Sequence, residues 1–244
     1  MKLSGDFHTH TVYTHGKSTI EENVSQADNL GLKAIAITEH CYNSKYAIKR
    51  GDLDKMREDI NNIKDKYSVN VLLGIEANLI SRKGDIDIDD EELKDLDLVI
   101  LGFHKMTRSS MKERLKFFLP NILFKRKSKK RIEENTNAYI SAINKHRVSI
   151  LAHLNYGGCK VDVKRLAKIC VEKGIYIELN GKRINFSKQE IQDMVDADVK
   201  FIINSDAHSK YAIGKNHRAF NLIEKYKIPL RQIVNIDGKM PKFK

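Results

Sequence analysis

Short, continuously apolar runs alternate along this chain with longer stretches whose apolar residues return every three or four positions. Residues 33–38 (KAIAIT), 69–76 (VNVLLGIE), 97–103 (DLVILGF), 148–153 (VSILAH), 175–180 (IYIELN) and 199–205 (VKFIINS) are of the first kind. Rich in Val, Ile and Leu, they predict strands covered on both faces, as in parallel sheets. With the opening KLSGDFHTH they make about seven strands. The second kind predicts amphipathic helices over 19–30, 52–67, 129–146, 162–173 and 187–197. Ser18-Thr19-Ile20-Glu21-Glu22 and Ser187-Lys188-Gln189-Glu190 read as capped helix starts, and Gly31 and Gly174 stand where a helix stops before the next strand. Repeated strand–helix units predict an α/β fold, either a parallel barrel or an open doubly wound sheet. No internal repeat or linker interrupts them and there are only three prolines, so residues 1–244 predict one domain.

Composition narrows the class without changing that outline. A chain of 244 residues with 41% hydrophobic content buries a sizeable core. Its three cysteines, Cys41, Cys159 and Cys170, are odd in number and form no CxxC pair, which argues against a disulfide framework or a zinc ribbon. A reducing, cytoplasmic setting is expected. No apolar signal region precedes the first histidines, and no apolar run reaches the roughly 18 residues of a membrane span. The net charge is +12. Much of the excess lies in 105–131, ending in KRKSKKR, which reads as a solvated basic linker or helix face, with a phosphate-tracking patch as the alternative.

The polar residues that end the apolar runs carry the chemistry. His8 and His10 close the first strand, His40 ends ITEH, and Glu76 ends LLGIE. His104 follows ILGF, His153 ends SILAH, and Asp206 and His208 follow FIINS. In a parallel barrel all carboxyl ends meet at one rim. With His15, seven of the nine histidines gather there beside two carboxylates. Neutral imidazole and carboxylate suit zinc, manganese or iron, and nine such groups exceed what one ion takes, so two or three divalent ions are expected. A carboxylate after an apolar strand is costly to bury unpaired, which makes Glu76 a bridging ligand between cations. By strand alternation Asp6 shares the face of His8 and His10, one step back, where it would steady an imidazole. Cys41, beside His40, reads as a packed thiol.

The ordered set DFHTH, His15, TEH at His40, GIEAN at Glu76, GFH at His104, AH at His153 and SDAH at Asp206 and His208 resembles the PHP (polymerase and histidinol phosphatase) family, and within it the compact bacterial YcdX-like phosphatases. The resemblance covers about residues 3 to 225. It implies a distorted (β/α)7 TIM-like barrel with a trinuclear metal centre at the carboxyl rim of the strands. It also implies that His8, His10, Glu76 and Asp206 hold one metal, that Glu76 bridges to a second completed by His104 and His153, and that His15, His40 and His208 hold a third. The chain departs from the family pattern in Glu39, where Asp is usual, in the missing proline after His153, and in the spacing of His15; without His15 the centre would be dinuclear.

Clustered divalent ions suit phosphate-ester hydrolysis by a metal-bound hydroxide, with no serine or cysteine nucleophile. The expected activity is therefore a metal-dependent phosphatase acting on a small phosphomonoester. Arg183, in the loop ELNGKR with Asn180 and Lys182, and Lys105 beside His104 are the candidate substrate-binding cations. The alternative is a phosphodiesterase or nuclease, supported by the basic 105–131 segment but disfavoured by an aromatic content of only 7%. A non-catalytic metal-binding scaffold is the third reading, and the full ligand set argues against it. Nothing in the sequence points to a membrane partner or fixes the oligomeric state.

Overall fold

The computed structural model of the protein describes residues 1–124 and 128–243. Seven parallel strands follow one another around a distorted (β/α)7 barrel in chain order: β1 (Gly5–Thr9), β2 (Ala34–His40), β3 (Asn70–Asn78), β4 (Leu98–Gly102), β5 (Ile150–Leu151), β6 (Tyr176–Asn180) and β7 (Phe201–Asn204). The longest ladder joins β2 to β3 from Ala34↔Asn70 to His40↔Glu76. Helices pack outside: α1 (Ile20–Asn29), α2 (Asp52–Ile63), α3 (Asp90–Lys94), α4 (Met111–Glu113), α5 (Leu119–Leu123), α6 (Lys129–Lys145), α7 (Val163–Lys173), α8 (Lys188–Asp196) and α9 (His217–Tyr226).

The predicted caps form. Thr19 with Glu22 and Ser187 with Glu190 make capping boxes at the starts of α1 and α8. Gly174 closes α7 with φ +70°, a left-handed backbone that favours glycine. Of the helices not anticipated, α4 is capped by Ser110, whose side chain accepts from Glu113 N–H, whereas Asn216, before α9, makes no side-chain capping bond. The segment α4, a π-turn over Arg114–Phe118 and then α5 docks through buried Phe117 and Phe118, which pack on Phe103 at 5.5 and 5.1 Å between ring centres. Its outer face leaves Lys112, Arg114 and Lys116 in solvent. Of the basic run 125–131, residues 125–127 lie outside the described residues, while Ser128 caps α6. No helix among the described residues is long and apolar enough to cross a membrane.

Barrel closure distinguishes this fold from an open sheet. Near the rim β1 meets the chain after β7 through His10 N–H to Ala207 O (2.8 Å) and Ala207 N–H to His8 O (3.2 Å). Lower down a side chain does the joining. Asn235 donates to Gly5 O (2.9 Å) on one side and to Ile203 O (2.6 Å) on the other, and accepts from Ile203 N–H (2.9 Å). The lower interior is apolar: Phe7, Ala34, Ala36, Leu98, Ile100, Ile150, Ala152 and Ile202 pack together, with Tyr176 and Phe243 against them. Above that layer the interior turns polar.

Candidate metal centre

The register of β1 slips between Asp6 and Thr9. Strict alternation would place Asp6 and His8 on one face; with the slip, Phe7 joins the apolar interior while His8 faces Glu76 and Glu178. Asp6 does not steady an imidazole as strand alternation suggests. Its oxygens accept Ser205 N–H and Gly214 N–H, each at 3.0 Å, so it ties β1 to the loop bearing Asp206 and His208.

The strand ends bring the other expected residues together around Glu76, which is 1% exposed. Its Oε1 lies 2.8 Å from His153 Nε2 and 3.3 Å from both His8 Nε2 and His104 Nε2. Its Oε2 lies 2.6 Å from His40 Nδ1 and 3.6 Å from His10 Nε2. Asp206 Oδ1 stands 3.6 Å from His10 Nε2 and 3.4 Å from His208 Nδ1. His15 reaches the cluster from the loop after β1, its ring stacked on His40 (4.9 Å, 11°) and on Tyr46 (4.6 Å, 23°). Gly102 allows the crowding, because a Cβ there would meet His153 Cε1 at 2.8 Å. His153 (φ 33°) and Asp206 (φ 53°) adopt left-handed backbone, which costs about 1–3 kcal/mol each for a non-glycine residue.

Several imidazoles are held from behind with one nitrogen aimed inward. His8 Nδ1 pairs with Glu178 at 2.7 Å, leaving Nε2 toward Glu76. The Asn78 amide donates to Asp87, so its oxygen faces His104 Nδ1 at 2.7 Å and directs His104 Nε2 inward. Several inward atoms lack hydrogen-bond partners among the described residues: His8 Nε2, both nitrogens of His10, His40 Nδ1 and Glu76 Oε2 are buried and unsatisfied. His40 Nδ1 and Glu76 Oε2 are close yet misaligned for a hydrogen bond, as atoms directed at a shared third body would be. Such orphaned groups are costly in a protein interior, and this donor set fits divalent cations. Among the described residues three trios have ligand atoms within 4.8 Å of one another: His8, His10 and Glu76; His40, Glu76 and His104; His10, His40 and His208.

Electrostatics agrees with that fit at His10, His15, His208 and Glu76 and runs against it at His8. Burial drives the His15 and His208 pKa values down to about 4, and burial with neighbouring His40 holds His10 well below its usual range, so these rings are neutral donors. Burial works against ionised Glu76, but His104, His8 and His40 outweigh it and hold its pKa well below the ordinary carboxylate range. Burial likewise opposes charge on His8, and the Glu178 and Glu76 carboxylates overcome it and raise its pKa.

Glu178 escapes a reading based on strand ends. Completely enclosed, it serves His8 Nδ1 (2.7 Å), His153 N–H (3.0 Å), Asn180 (2.9 Å) and Asn204 (3.1 Å). Its sequence signal equals that of Glu76: a carboxylate inside an apolar strand, IYIELN, needs partners as much as one in LLGIE. Glu39, at the TEH position, accepts from Thr11 N–H and from the hydroxyls of Thr11 and Thr14, folding the loop that leads to His15. Burial raises its pKa to about 7. Cys41 is a packed thiol whose Sγ–H donates to Asp87 O at 3.1 Å.

A cavity of about 410 Å³ opens over the cluster. Lys105 and Arg183 line it, as do Lys45 and Lys182. Lys182 Nζ reaches His208 Nδ1 at 2.7 Å and Asp206 Oδ1 at 3.4 Å.

Residues 6–182 match the PHP domain. Two similar proteins, each named a probable phosphatase, come from Acetivibrio thermocellus and Shewanella frigidimarina. The first is 27% identical over 247 residues, 96% of this chain and 92% of the relative. The second is 30% identical over 244 residues, 96% of this chain and 90% of the relative. Among solved structures, the histidinol phosphate phosphatase of Lactococcus lactis, complexed with zinc, L-histidinol and phosphate, aligns with a TM-score of 0.56 at 15% identity, covering 92% of this chain and 94% of that one. A chain of archaeal ribonuclease P with mature tRNA aligns with a TM-score of 0.53 at 16% identity, covering 93% and 84%. At these identities the likeness to both structures is one of fold.

Proposed function

The chain belongs to the PHP domain family of metal-dependent phosphoesterases, and on that premise we propose that it is a phosphatase hydrolysing a small phosphomonoester at the imidazole–carboxylate cluster. The observation that carries the reading is Glu76, whose two oxygens face separate groups of imidazoles, His8, His104 and His153 on one side and His10 and His40 on the other. A carboxylate so placed would bridge two divalent ions, with Asp206, beside His10, on the His10–His40 side. His15, His40 and His208 would serve a third. Zinc, manganese and iron all suit these donors. Such ions, when bound, polarise a phosphoryl oxygen and acidify water.

The chain's own groups do the rest. Glu178 and Asn78 hold His8 and His104 in their inward-facing tautomers. Lys182, next to Asp206 and His208, would meet a phosphate oxygen as a point charge. Lys105 and Arg183 would extend that positive field toward the mouth. In the net reaction water oxygen bonds to phosphorus, the ester P–O bond breaks, and a water proton passes to the departing alcohol.

Elemental analysis of protein purified without chelator, with assays on phosphomonoesters and a labelled oligonucleotide, tests this. Two or three metal equivalents with phosphomonoester turnover are expected. Cleavage of the oligonucleotide alone would replace the reading with a nuclease, metal without activity with a scaffold, and no metal after loading with zinc, manganese or iron would end it.

A further inference from the structure

Among the described residues four cations, Lys45, Lys105, Lys182 and Arg183, line the cavity over the cluster, and the two acids lining it, Glu76 and Asp206, lie within the cluster itself. Lys182 is already engaged with Asp206 and His208. The other three stand farther out, exposed, and among the described residues none of them is ion-paired. Two lie on tyrosines: the Arg183 guanidinium is 4.3 Å from the centre of the Tyr156 ring, and Lys45 Nζ is 5.0 Å from that of Tyr46. Each tyrosine in turn contacts a cluster histidine, Tyr156 on His153 (5.5 Å) and Tyr46 on His15 (4.6 Å). Arg183 is also placed by its backbone N–H, which donates to Asn180 Oδ1 at 3.0 Å.

The molecule contains its own comparison for the Arg183–Tyr156 pair. On the barrel's flank Arg50 lies over Tyr42 at 4.1 Å, but there the outward edge of the guanidinium meets Glu92 at 2.7 Å and Asp89 at 3.4 Å. Stacking occupies the face of an arginine and leaves its in-plane N–H fork for a carboxylate or phosphate. At Arg50 the protein supplies that anion; at Arg183 it does not, and the fork borders the cavity. A phosphate dianion seated at the cluster would be met by Lys182 and the cations held there, leaving the outer charges for another part of the substrate. A ligand bearing an ammonium group would face three like charges at the mouth.

We propose that the substrate's leaving portion carries a second anionic group, a carboxylate or a second phosphate, and that Arg183, backed by Tyr156, reads it. This rests on the phosphomonoesterase reading and narrows it. A charge-assisted pair at such a site discriminates by about tenfold or more.

The metal-loaded enzyme is assayed for kcat/KM on matched pairs: 3-phosphoglycerate against glycerol 3-phosphate, and fructose 1,6-bisphosphate against fructose 6-phosphate, with phosphoethanolamine as the cationic probe. The wild type is expected to favour the extra anion about tenfold through KM, less so at high salt. Preference in one pair alone identifies the anion as carboxylate or phosphate. Arg183→Met should reduce the preference to about twofold, Arg183→Lys should retain part of it, and Arg50→Met should leave it intact. Turnover without discrimination, preference for phosphoethanolamine, or a preference that survives Arg183→Met overturns the inference and spares the phosphatase. Turnover of no phosphomonoester overturns both.

Discussion

The lower barrel interior is filled by Phe7, Ala34, Ala36, Leu98, Ile100, Ile150, Ala152 and Ile202, hydrocarbon against hydrocarbon. Farther along the barrel stand His8, His10, His40 and Glu76, also enclosed but rich in atoms without hydrogen-bond partners among the described residues. The lower layer gains free energy whenever the chain folds, because burial of apolar area needs nothing else. On the proposed reading, the upper layer costs free energy until cations arrive. Stability and chemistry are thus divided by depth within one barrel, and substitutions in the two layers should separate cleanly.

The largest expected effect tests the upper layer. Glu76→Gln keeps the shape and removes the bridging charge, so turnover should fall on the order of a thousandfold while the metal-free protein unfolds no earlier than wild type. Activity assays paired with thermal melts check this, and a large loss of metal-free stability would break the division. In the lower layer Phe7→Ala should cost about 3–5 kcal/mol, read by denaturant titration, with metal content unchanged while the protein is folded. Glu178→Gln, between the layers, should weaken metal affinity about 10–100-fold by loosening His8, measured by competition with a chelating dye. Metal removal by chelator should act on a similar scale. Binding at 100 times the dissociation constant adds about 2.7 kcal/mol, so the melting temperature should fall by several degrees and recover on reloading; an unchanged melt would mean the upper layer is already satisfied without cations.

How well the sequence conveyed each layer follows from the range of the interactions involved. His40, Glu76, His104 and His153 were legible because each ends an apolar run, and a parallel barrel collects such ends at one rim. Asp6 misled because its placement assumed unbroken alternation, while the slip in β1 turns it toward Ser205 and Gly214. Glu178 stayed hidden because its meaning depends on His8, 170 positions away. The helix α9 escaped because no capping box announced it: Ala219 stands where Glu or Gln would follow Asn216. Asn235 could not be read at all, since a side-chain amide standing in for strand pairing leaves no local pattern.

That amide also bears on how the chain reaches its native state. Strands β1 to β7 can be added one neighbour at a time, but Gly5 finds this partner only across 230 positions of sequence. Contacts so distant form slowly because the intervening loop must be ordered first. Until the clasp engages, the flank of β1 beside Phe7 offers unpaired backbone to any passing strand, the usual route to aggregation. Sealing the barrel is thus expected to come late in folding, and the time spent before it should be when the protein is most vulnerable.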